Sequence, residues 1–170
     1  MPTLHVCPLS RLHATVERTG ASHVVTLINV ATPVERPPAI PPERHLFIGV
    51  SDIVDPQDGH VVPAVEHVER LIAFVRAWPR ERPLVVHCWA GVSRSTAAAF
   101  IAACALAPER PEDEIADALR AASPMATPNA RLVAVADDLL GRGGRMSAAI
   151  ARIGRGAEVT FENEPFELDL

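Results

Sequence analysis

The 170 residues contain no lysine and no tyrosine, only 4% aromatics, and three cysteines. Without lysine, every strongly basic side chain is arginine, a bias of the kind a GC-rich bacterial genome imposes and silent about chemistry. Cys7, Cys88 and Cys104 are odd in number and far apart, which excludes a disulfide framework or paired zinc motif and leaves reduced thiols. His5, His13, His23, His45, His60 and His67 show no metal-ligand spacing. No apolar run reaches the roughly 18 residues of a membrane span. The opening MPTLHVCPLSRLHATVERTG lacks the basic-then-apolar order of a secretory signal, so a soluble, cytoplasmic protein with no membrane partner is expected. The net charge of −5 argues against nucleic-acid binding, and Arg142, Arg145, Arg152 and Arg155 read as a solvated helix face. Internal repeats and low-complexity tracts are missing too.

With 48% hydrophobic residues, the chain has the length and apolar content of one domain with a full core. SHVVTLINV (22–30) and HLFIGV (45–50) are β-branched or apolar without a helical period and read as buried strands. Between them ATPVERPPAIPPER holds five prolines and reads as an irregular surface loop. From Val61 apolar residues recur at helical spacing, with Pro63 in the first turn, and Pro79 stops that helix near Trp78. LVVHC (84–88) reads as a strand and STAAAFIAACALA (95–107) as an Ala-rich helix. Helices are predicted over 111–122, with an acidic first turn, and over 129–141, closed by Gly141. GRMSAAIARIG suggests a short last helix, and 156–170 an acidic tail with isolated apolar anchors, set apart from a domain over 1–155. This order predicts an α/β three-layer sandwich: a central, mostly parallel sheet flanked by helices, with ligands beyond the carboxyl ends of its strands.

The stretch VVHCWAGVSRST (85–96) puts Cys88 in that place. A cysteine attacks as its thiolate, which a helix N-terminus and a nearby cation favour; Cys88 faces the start of the 95–107 helix and has Arg94 six positions on. The backbone N–H groups of Trp89, Ala90, Gly91, Val92, Ser93 and Arg94 can converge into an anion nest, with Gly91 permitting the curvature. Arg94 adds a planar fork suited to two phosphate oxygens. Thiolate, nest and fork together propose in-line phosphoryl transfer through a phosphocysteine, with no metal or other cofactor required.

HCWAGVSRS resembles the H-C-x5-R-S/T signature of the cysteine-based protein-tyrosine phosphatase superfamily, and its G-V-S-R-S ending is most similar to the dual-specificity branch. The resemblance extends over most of 1–140, including HVVTLINV, HLFIGVSD and SPMATPNARL. It implies a dual-specificity-phosphatase-like fold, phosphorylated proteins or small phosphomonoesters as substrates, His87 as support for the cysteine loop, Ser95 assisting departure of the thiolate, and Asn129 bracing the loop. Asn129 also reads as a helix N-cap, His87 as a satisfied strand histidine, and Thr96 as a helix-start residue.

A leaving alkoxide or phenoxide needs a proton, and GVSDIVDPQDGH offers Asp52, Asp55 and Asp58. Asp52, directly after a strand, stands where the family's general acid stands; a slip of three positions hands the role to Asp55. Asp55 before Pro56 and Asp58 before Gly59 are also natural turn residues. Cys7 and Cys104 read as small buried hydrophobes. The expected activity is hydrolysis of phosphotyrosine, with phosphoserine and phosphothreonine as further candidates. The alternatives are an inactive phospho-binding module and a rhodanese-like sulfurtransferase, which also places a reactive cysteine between strand and helix.

Overall fold

The computed structural model describes residues 2–170. Four strands run parallel: β1 (Thr3–Pro8), β2 (His23–Ile28), β3 (His45–Gly49) and β4 (Leu84–Cys88). A fifth, β5 (Phe166–Asp169), pairs antiparallel with β1, giving the sheet order β3-β2-β4-β1-β5. β4 lies between β1 and β2, with Pro8 opposite Cys88 and Thr26 opposite His87. Every residue of β2 and β4 is buried, which is why their sequences run apolar instead of alternating.

Six helices complete the chain: α1 (Leu12–Thr19), α2 (Val65–Ala77), α3 (Arg94–Leu106), α4 (Glu112–Ala122), α5 (Ala130–Leu140) and α6 (Arg145–Ile153). The pleat divides the strand side chains between two cores. Leu4, Val6, Val25, Leu27, Leu84 and Val86 join the residues of α2 to α6, while Cys7, Val24 and Val85 join Leu12 and Val16 of α1. All thirteen residues of α3 are buried, and its alanines let neighbouring helices and the sheet close around it. The result is the predicted α/β sandwich. Among the described residues no helix is long and apolar enough to cross a membrane.

Four features depart from the sequence reading. β1 and α1 were not anticipated: TLHVCP carries His, Cys and Pro in a six-residue strand, and α1 has only eight residues. α2 starts at Val65, four residues later than the spacing predicts, because Ser51 and Val61 bind each other (Ser51 N to Val61 O, 2.8 Å; Val61 N to Ser51 Oγ, 3.1 Å) and hold that stretch extended. His67 Nδ1 then accepts from Ala64 N at 3.0 Å, a cap that Ala64 has no side chain to supply. Arg142 is not on a solvated face: it is buried, donating to Glu112 Oε1 at 2.9 Å and to the Cys104 carbonyl at 2.8 Å. Finally, the segment set apart as an acidic tail supplies β5, with Leu168 in the larger core.

Candidate active site

β4 ends at Cys88 and α3 begins at Arg94, so the loop between them sits over the amino end of a buried helix. Cys88 is 2% exposed, with its Sγ 3.1 Å from Ser95 Oγ. Gly91, at φ +72°, is required twice. The angle is one that L side chains rarely adopt, and a Cβ there would meet Pro8 N at 2.9 Å and Cys7 C at 3.0 Å. The Trp89 side chain is 53% exposed.

Arg94 is 8% exposed and is held from behind. Its Nη1 donates to Asn29 Oδ1 at 2.6 Å and to the Val50 carbonyl at 2.9 Å, while its buried Nε has no partner within the described residues. An unpaired donor in such a place is costly unless a ligand takes it up. Asn29 and Val50 follow β2 and β3, so the guanidinium is aimed by two neighbouring strands that the signature does not include.

His87 is fully buried in β4. Its Nδ1 lies 3.1 Å from the Cys88 carbonyl, which can only accept, so Nδ1 carries the proton. Nε2 of the neutral ring then accepts from the Thr26 hydroxyl at 2.7 Å, and Thr26 Oγ1 in turn accepts from His45 Nε2, also at 2.7 Å. Burial pushes His87 down to about 4, which keeps this chain of donors intact at neutral pH. The other two thiols are shut away: burial pushes Cys7 and Cys104 up to about 12, so neither ionises near neutrality.

Asp52 reaches the loop from the segment after β3. Its Oδ1 accepts from Ser93 Oγ at 2.7 Å and from Asn129 Nδ2 at 2.9 Å. Asn129 Oδ1 caps α5 by accepting from the backbone of Arg131 and Leu132, and its backbone N–H donates to the Ser93 carbonyl at 3.2 Å. The side chain therefore braces Asp52, and the main chain braces the loop. Arg131 ties down the rest of that segment through the carbonyls of Pro63 and Val54. Asp52, Asp55 and Asp58 are all exposed, and Asp52 is the one that bonds the loop, in a cleft it shares with Val92, Ser93, Thr127 and Pro128. Thr96 bonds backward to the carbonyls of Val92 and Ser93.

Sequence reasoning missed Asn29, Thr26 and His45. Asn29 lies at the carboxyl end of the strand predicted over 22–30 and directly follows β2 as observed, a position that faces the site in a parallel sheet. The others carry no local signal.

Residues 56–135 match the family model for protein-tyrosine phosphatase, and the stretch contains the whole signature. Solved structures share the fold. DUSP15 superposes with a TM-score of 0.66 at 18% identity, covering 89% of this chain and 92% of that one. The phosphatase domain of Yvh1 from Chaetomium thermophilum gives 0.61 at 19%, covering 84% and 93%. The human tyrosine phosphatase-like serine/threonine/tyrosine-interacting protein gives 0.66 at 15%, covering 84% and 94%. No curated protein sequence matches. Over residues 56–135 the chain matches the protein-tyrosine phosphatase family, and it has the dual-specificity-phosphatase-like fold.

Proposed function

We propose that the protein hydrolyses phosphotyrosine, and also phosphoserine and phosphothreonine, in proteins through a phosphocysteine intermediate. The family match supports phosphatase activity and implies phosphorylated substrates. Because the fold is shared with the tyrosine phosphatase-like serine/threonine/tyrosine-interacting protein, the argument for turnover rests on side chains. The observation that carries it is the buried, unpartnered Nε of Arg94 beside Cys88 at the head of α3.

In the proposed reaction Cys88 Sγ attacks phosphorus as the bond to the leaving oxygen breaks, and Asp52 donates the proton that oxygen takes up. Arg94 and the loop amides hold the three equatorial oxygens. Water, deprotonated by Asp52, then attacks phosphorus. The S–P bond breaks with its electrons returning to sulfur, and Ser95 Oγ, 3.1 Å away, donates a hydrogen bond to the departing thiolate. His87 supports the Cys88 carbonyl and Asn129 holds Asp52; neither exchanges a proton with substrate. Asp52 is preferred to Asp55 because of its contact with Ser93. A reducing cytoplasm suits a mechanism that depends on a free thiol.

The test is hydrolysis of p-nitrophenyl phosphate by the intact protein and its loss in Cys88→Ser with phosphate binding retained. Turnover of thiosulfate without phosphatase activity would overturn the reading, as would phosphopeptide binding with no hydrolysis by the wild type.

A further inference from the structure

The C-terminal segment beyond α6 touches the cysteine loop directly. Asn163 is 6% exposed. Its backbone N–H donates to the Ala90 carbonyl at 2.8 Å, and its Nδ2 donates to the Gly91 carbonyl at 3.0 Å and to Ser123 Oγ at 2.8 Å. The amide orientation is fixed by chemistry, since a backbone carbonyl can only accept.

These bonds matter because a trans peptide is planar, with its C=O and N–H pointing opposite ways. A carbonyl pinned outward from the loop turns the next residue's N–H inward. Leu9 N pins the Trp89 carbonyl, Thr127 N and Thr96 Oγ1 pin that of Val92, and Asn129 N and Ala97 N pin that of Ser93. The two central carbonyls, Ala90 and Gly91, are pinned by Asn163. The amides of 90–94 donate to nothing within the described residues, which leaves them for an anion.

We infer that Asn163 is a positioning residue for the phosphate site: it sets the inward direction of the Gly91 and Val92 amides without touching substrate. The segment that bears it is anchored at both ends. Gly156 N donates to Thr127 Oγ1 and Ala157 N to the Pro124 carbonyl on one side, and β5 is paired to β1 on the other. The inference rests on the phosphatase reading above.

The experiment measures calorimetric binding of inorganic phosphate, the KM and kcat for p-nitrophenyl phosphate, and Tm, in the full chain. Asn163→Ala should weaken phosphate binding and raise KM by roughly tenfold, as expected for a lost hydrogen bond that orients the Val92 donor, the backbone bond to the Ala90 carbonyl being kept. Asn163→Asp keeps the size but sets a carboxylate against the Gly91 carbonyl, so its loss should exceed that of alanine; it also carries the test if Asn163→Ala does not fold. Leu168→Ala serves as the comparison, loosening β5 from the core while leaving Asn163 in place, and should lower Tm with KM unchanged. A purely structural Asn163 would lower Tm and the active fraction but leave KM and phosphate affinity at wild-type values, which overturns the inference. An equal shift of KM in Leu168→Ala overturns it as well. A wild type that neither binds nor turns over phosphate esters is read separately: it removes the phosphatase reading and this inference with it.

Discussion

The two faces of the 88–95 loop are built in opposite ways. The inner face is contiguous in sequence: Cys88, the amides of the following residues, the Arg94 guanidinium and Ser95. The outer face is assembled from five distant places: Leu9 after β1, Asn29 after β2, Val50 and Asp52 after β3, Thr127 and Asn129 before α5, and Asn163 before β5. The inner face supplies the groups that would meet phosphate, and the outer face decides whether they point at it. A loop of this length with unpaired amides and a buried cation has no reason of its own to stay curled.

Breaking the inner face should cost most. Gly91→Ala forces a side chain to φ +72° and against the backbone of Cys7 and Pro8, so turnover of p-nitrophenyl phosphate should fall more than about 100-fold. Arg94→Lys keeps the charge but loses the fork and the free Nε, and steady-state kinetics should show a kcat/KM loss of roughly 100-fold or more.

At the border between the faces, Asp52→Asn should lower kcat on alkyl or phenyl phosphates by about 100-fold and lower it less for p-nitrophenyl phosphate, whose leaving group needs no proton and which loses only the help of Asp52 in activating water. Asp55→Asn should show no such split; the reverse pattern moves the acid to Asp55. On the outer face proper, Asn29→Ala releases one guanidinium nitrogen still held by the Val50 carbonyl, and should raise KM by only about fivefold.

The last effect is on stability, not on turnover. His87 is held down to about 4 by burial, while in the unfolded chain it titrates near 6.5. As pH falls through that interval the unfolded state binds the proton first, so His87 favours unfolding increasingly from pH 6.5 to 4, by an amount on the order of 3 kcal/mol at the acid end. His5, His23 and His45, also lowered by burial, act in the same direction. Thermal melts should show Tm falling across this range, and His87→Gln should flatten the slope. A Tm insensitive to pH there would place the proton elsewhere.

Much of the fold was legible because its central elements carry strong local signals. The buried strands β2 and β4 show as mainly apolar runs without alternation, α4 and α5 show helical periodicity, and Gly141 closes α5 in a left-handed conformation. β5 was hidden because EVTFENEPFELDL is acidic, and its place depends on the edge of β1, itself unrecognised. Pairing across more than 150 residues leaves no mark in a local window. The four clustered arginines looked alike in sequence, yet Arg142 is buried on Glu112 while Arg152 pairs with Asp113 and Asp117 at the surface.

By itself the sequence determined the candidate nucleophile, the candidate fork and the helix behind them, because those groups are set by spacing along a single strand, loop and helix. It also named the carboxylate at a strand end, leaving Asp55 as a rival. Only the tertiary structure decided which carbonyls of the loop are pinned, which residues hold Arg94, and that Asn163 bonds the loop. The reason is directional: a hydrogen bond orients a group only when its partner is brought there by packing, and these partners come from segments that meet only in the folded chain.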